Sequence, residues 1–134
     1  MSSPKYCLGG PNTRPTKPQN SVFELVDELI EDLKTHESVV YEIYTDLPKN
    51  AIIIVGASFT CLGVSHRIEP SEKYYGKPIG THVSEEDVEF YLRQDAQNAV
   101  ENSKQLFQNF QNIPKTAQLV LSYMMWIRNT GYER

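Results

Sequence analysis

Cysteine is scarce in this chain: Cys7 and Cys61 are the two among 134 residues. A single possible pair cannot staple a small secreted scaffold, and neither cysteine has metal-ligand spacing, so both read as reduced thiols. Long apolar runs are missing too. The longest nearly apolar stretch is Leu119 to Ile127, roughly half of what a membrane-spanning helix needs. The opening Met-Ser-Ser-Pro-Lys-Tyr has no apolar core of a signal peptide, so nothing directs secretion or membrane insertion and a cytoplasmic location is expected. Clustered Lys and Arg are also lacking. With 13 basic against 17 acidic residues and a net charge of -4, the chain has no footprint for phosphate, which argues against nucleic acid as a partner. Gly76-Lys77-Pro78-Ile79-Gly80-Thr81 has neither the spacing nor the preceding strand of a phosphate loop. No cofactor and no metal are expected.

What is present divides in two. Residues 1 to 20 hold Pro4, Pro11, Pro15 and Pro18, two adjacent glycines and no apolar periodicity, and read as an extended arm suited to following a neighbour's surface. Residues 21 to 134 read as one domain. Ser21-Val22-Phe23-Glu24 forms a capping box, after which Val22, Leu25, Val26, Leu29, Ile30 and Leu33 recur at helical spacing up to about His36. Strands are expected over 41–45, over the β-branched run at 51–55 and over 59–64. Ser84-Glu85-Glu86-Asp87 opens a second helix with Val88, Tyr91, Leu92, Ala99 and Leu106 on its apolar side, and Pro114 suits the first turn of the last helix. The carboxylates at 85 to 89 read as a favourable first helical turn and not as a metal site. The stretch 119–127 leaves no polar face, which predicts that Leu119, Tyr123, Met124, Met125, Trp126 and Ile127 meet a partner.

The order and spacing of several segments resemble the phage-type lysozyme family, in the versions found in invertebrate animals and some phages. They are Glu31-Asp32-Leu33-Lys34-Thr35-His36-Glu37, Tyr44-Thr45-Asp46, Leu62-Gly63-Val64-Ser65-His66, the run from Tyr75 to Glu86, Gln94-Asp95, Ile113 to Gln118, and Met124-Met125-Trp126. The resemblance covers roughly residues 25 to 131. It implies an α+β, lysozyme-like fold: an N-terminal helix, a small antiparallel sheet, then helices of a C-terminal lobe. It also implies that Glu37 matches the general acid and Asp46 the carboxylate that positions the attacking water, since glycoside hydrolysis needs a proton for the leaving oxygen and an activated water opposite. By the same resemblance His66 pairs with Asp95 structurally.

Departures from the family pattern argue against activity. Cys61 stands where the family carries a catalytic Thr, and Thr60 is one residue off, on the opposite face of a strand unless a bulge intervenes. Ser38 and Ser65 replace glycines, and Ile52-Ile53-Ile54-Val55 enlarges the hairpin. Measured against the family, the sequence stops just past the central helix of the C-terminal lobe, so that Trp126 and its neighbours are expected to need an outside cover. The expectation is a catalytically silent lysozyme-like structural protein. It would bind protein subunits of a large assembly through Pro4, Pro11, Pro15, Pro18 and the last helix. The assembly put forward is the inner wall of ciliary and flagellar doublet microtubules, with tubulin as the neighbour and the axoneme as the location. The alternatives are an active peptidoglycan hydrolase (a muramidase), a phage virion component, or a carbohydrate-binding module that keeps the cleft without turnover.

Overall fold

The computed structural model describes residues 22–45 and 60–130, apart from the side chains of Val22 and Phe23. The arm with its four prolines, Cys7, Asp46 and the expected strand at 51–55 lie outside the described residues. Among those described, the chain is α+β: helix α1 (Val22–His36), strands β1 (Val40–Thr45), β2 (Thr60–Gly63) and β3 (His66–Arg67), helix α2 (Glu85–Leu106), a single 3-10 turn (Phe110–Asn112) and helix α3 (Lys115–Thr130). The strands form an antiparallel sheet in the order β1-β2-β3.

The apolar spacing of α1 places Leu25, Val26, Leu29, Ile30 and Leu33 inward, all buried, and leaves Glu24, Asp27, Glu31 and Thr35 in solvent. Burying each such aliphatic side chain contributes roughly 1.5–3 kcal/mol, so this stripe fixes which way α1 faces. It packs with Leu92, Ala96, Ala99, Val100, Phe110, Met125 and Trp126 into one core between the three helices. A second core joins Ile43 and Leu62 of the sheet to Ile68, Tyr74, Val83, Val88 and Tyr91. Val39 touches both cores, so the short link after α1 is where they meet. Helix α2 starts as its sequence indicates, with Ser84 Oγ accepting the N–H of Asp87 at 3.1 Å. Its far end differs from expectation: Leu106, the last residue of the helix, is exposed.

Strand β1 breaks register. Val40 stands opposite Gly63, yet Tyr44 stands opposite Cys61 and Thr45 opposite Thr60, so three residues of β1 face Leu62 alone. The surplus is used elsewhere. Ile43 N–H donates to Thr81 O at 2.9 Å, Gly80 N–H to Ile43 O at 2.8 Å and Val83 N–H to Tyr41 O at 3.0 Å. The long loop before α2 is thereby stitched to the sheet, as a bulge with re-aimed backbone groups allows. The tight turn into β3 carries a cost, for Ser65 sits at φ 55°, a left-handed conformation that disfavours any residue with a Cβ. Ser65→Gly is expected to raise stability by about 0.5–1 kcal/mol, read as a higher urea midpoint with an unchanged slope; a fall of that size would mean the Ser65 side chain holds the turn. Gly63 has the same hand, at φ 60°, and a Cβ there would sit 3.1 Å from Val88 Cγ1, so both the backbone and the space favour glycine.

Candidate functional site

Glu37 is the first residue past α1, held by its N–H donating to Leu33 O at 2.8 Å. Its half-buried side chain meets α3, where the Tyr123 hydroxyl donates to Glu37 Oε2 at 2.6 Å. Tyr123 stacks edge-on with Trp126 at 5.9 Å and with His36 at 6.5 Å. Burial first, then the bond to Glu37 and the charges of Glu37 and Asp32, push the Tyr123 phenol up to about 12. Tyr123 therefore keeps its proton at neutral pH and donates a hydrogen bond to Glu37. The hydrogen-bonding group on α3 was legible only as part of an apolar run; its pairing with Glu37, 86 residues away, was not.

The position expected to carry a catalytic Thr is occupied by Cys61, a buried thiol. Thr60 and Cys61 pair in straight register with Thr45 and Tyr44, and the irregularity lies on β1 between Val40 and Tyr44. No bulge therefore re-aims Thr60, which keeps the face opposite to that of Cys61. Asp46, the second expected carboxylate, follows the last described residue of β1.

The most densely bonded group is His66 on β3. It is 6 % exposed, with Nδ1 2.8 Å from Asp95 Oδ2 on α2 and Nε2 2.9 and 3.1 Å from the two carboxylate oxygens of Glu72. Its ring stacks on Tyr91 at 4.5 Å. Burial disfavours the charge, but hydrogen bonds and Coulombic attraction from Asp95 and Glu72 outweigh it and raise the His66 pKa above its ordinary value. Both nitrogens donate only in the imidazolium, which satisfies both carboxylates at once. Glu72 Oε1 also accepts the Glu69 N–H at 3.0 Å, so the cluster closes the loop after β3. Sequence reading found His66 and Asp95 but missed Glu72 and Tyr91. Tyr91 was accessible, being four residues before Asp95 and hence on the same helix face; Glu72 lies in a loop whose path no local pattern fixes. Among the described residues no cluster has the makings of a metal site, and no helix is long and apolar enough to cross a membrane.

Helix α3 corrects the expected partner surface. Met125 and Trp126 are 7 % and 3 % exposed and belong to this chain's own core, because α1 and α2 cover that side of the helix. Leu119 and Tyr123 are half-buried at its margin. The outward face instead presents Val120, Met124 and Ile127, each more than half exposed, at the i, i+4, i+7 spacing of a single stripe. The buried face carries Gln118 and Ser122.

No family model matches this sequence, and comparison with curated proteins and with solved structures finds no match either.

Proposed function

We propose that this is a non-catalytic, lysozyme-like structural protein that binds neighbouring protein subunits in a large assembly. The observation that carries the reading is the Tyr123–Glu37 hydrogen bond. A general acid must hold its own proton toward the glycosidic oxygen, within hydrogen-bond reach of it. Glu37 Oε2 instead accepts a hydrogen bond from the Tyr123 hydroxyl, which ties one of its carboxyl oxygens to α3. Cys61 at the water-positioning place, with Thr60 on the other face, supports the same reading. The stripe of Val120, Met124 and Ile127 supports partner binding, since large apolar side chains in a line on one helix face favour a helix or groove that buries them.

The assembly put forward is the inner wall of ciliary doublet microtubules, with polymerised tubulin as the contacted surface. Met124→Glu tests the binding side. We expect it to shift folding stability by no more than about 0.5 kcal/mol, as surface changes do, while abolishing co-sedimentation of the full chain with polymerised tubulin. A wild-type chain that fails to co-sediment removes tubulin as the neighbour. Undiminished co-sedimentation of Met124→Glu removes the stripe as the contact.

A further inference from the structure

We propose that the outer face of α3 is a homodimer contact, on which a second copy of this chain lays its own α3 parallel and in register. Along that face Ala117, Val120, Met124 and Ile127 follow the alternating three-four spacing at which two helices pack side by side at a shallow angle. Val120, Met124 and Ile127 are more than half exposed and Ala117 is half-buried, so the seam is apolar from end to end. Large apolar side chains in a line favour a partner that removes them from water. The seam runs for about 15 Å along the helix axis, which places the contact at the small end of interface sizes and makes the dimer a weak one.

Charge selects the occupant and its direction. On one flank of the seam stands Tyr123, bonded to Glu37 and within the field of Asp32. Among the described residues neither carboxylate has a cationic partner. Arg128 is exposed and, among the described residues, has no carboxylate partner. It follows Tyr123 by five residues, a rotation of about 140°, so it stands on the opposite flank. Two helices paired in parallel and in register bring each residue of the first flank against the residue five further on in the partner, across the seam. Tyr123, with the Glu37 carboxylate beside it, then meets the partner's Arg128, and the two-fold axis repeats the contact. Antiparallel pairing does the reverse: it joins like flanks, with Glu37 and Asp32 against their own copies and Arg128 against Arg128 of the partner subunit, a repulsive arrangement. An apolar seam with a free acid on one side and a free base on the other is complementary to itself, and this is why the occupant is a second copy. The same seam serves in the tubulin contact proposed above, so the two bindings exclude each other.

Sedimentation equilibrium of the full chain tests this with no tubulin present, so that its failure and the failure of the tubulin contact are separate results. We expect the weight-average mass to climb from one chain toward two between about 10 µM and about 1 mM, the range of a weak contact. Arg128→Glu should weaken the dimer at least threefold, because it sets like charges together, and adding Glu37→Lys to it should recover most of that loss. Direction is read from a Cys7→Ser, Ile127→Cys chain oxidised with diamide; Cys61, 5 % exposed, is shielded. A parallel seam brings the two 127 positions face to face and yields a disulfide-linked dimer, whereas antiparallel pairing sets position 127 against Ala117 of the partner subunit. A monomer at every concentration, a species larger than two chains, or an Arg128→Glu dimer as strong as the wild type overturns the proposal. So does a double charge reversal that recovers nothing, or a dimer that fails to cross-link through position 127.

Discussion

Trp126→Ala will lower folding stability by about 3–5 kcal/mol, the cost of deleting a large aromatic side chain from a packed core. That is a large share of a domain's typical 5–15 kcal/mol. Trp126 is 3 % exposed and sits in the core shared by α1, α2 and α3, edge-on to Tyr123. Ile127, one residue on, is 52 % exposed, and Ile127→Ala should change stability by no more than about 0.5 kcal/mol. Trp126→Phe supplies a control. Among the described residues Trp126 Nε1 is buried without a hydrogen-bond partner, so losing it sacrifices no bond, and the phenylalanine variant should cost well under half as much as the alanine variant. Urea unfolding of the three variants decides the matter. Equal costs for Trp126→Ala and Ile127→Ala would mean that α3 is not seated by the face described.

The second large effect belongs to His66. Replacing it with alanine leaves the carboxylates of Asp95 and Glu72, only 18 % and 15 % exposed, facing each other without a cation. The expected loss is about 3–5 kcal/mol, as for other buried pairs deprived of one member. The pH dependence follows from the direction of the shift. Burial works against the imidazolium, and Asp95 and Glu72 overcome it, so the folded-state pKa lies above the unfolded value. Stability from this group is then fully present below the unfolded pKa of about 6.5 and is lost as pH rises through the folded pKa. Stability of the wild type in urea unfolding should therefore fall as pH rises above about 6.5, and His66→Gln should remove most of that slope. An NMR titration placing His66 at or below about 6.5 would contradict the double clamp.

How much of this could be read from the sequence depends on whether the governing interaction is local. Leu25, Val26, Leu29, Ile30 and Leu33 announce α1 and its buried face because the helical repeat is written in five residues. Ser84 announces the start of α2 because the cap bonds three residues on. Helix α3 misled because its pattern is inverted: Gln118 and Ser122 are buried while Val120, Met124 and Ile127 face outward. A run with apolar side chains on every side carries no period that tells inside from outside, so Trp126 was assigned to a partner when α1 and α2 already cover it. The bulge in β1 escaped because its cause lies at Gly80 to Val83, far along the chain, and Glu72 escaped for the same reason. The Glu37 and His66 positions were visible through the resemblance, whereas Tyr123 as the donor to Glu37 emerges only when α1 and α3 are packed.

The central proposal is that Glu37 does not serve as an acid in hydrolysis. The most direct measurement is clearing of purified bacterial cell wall by the full chain, its Glu37→Gln variant and a Cys61→Thr variant that introduces the threonine expected at that position. The account predicts no clearing above buffer for any of the three. Clearing by the wild-type chain that disappears in Glu37→Gln would contradict it and make this protein a hydrolase.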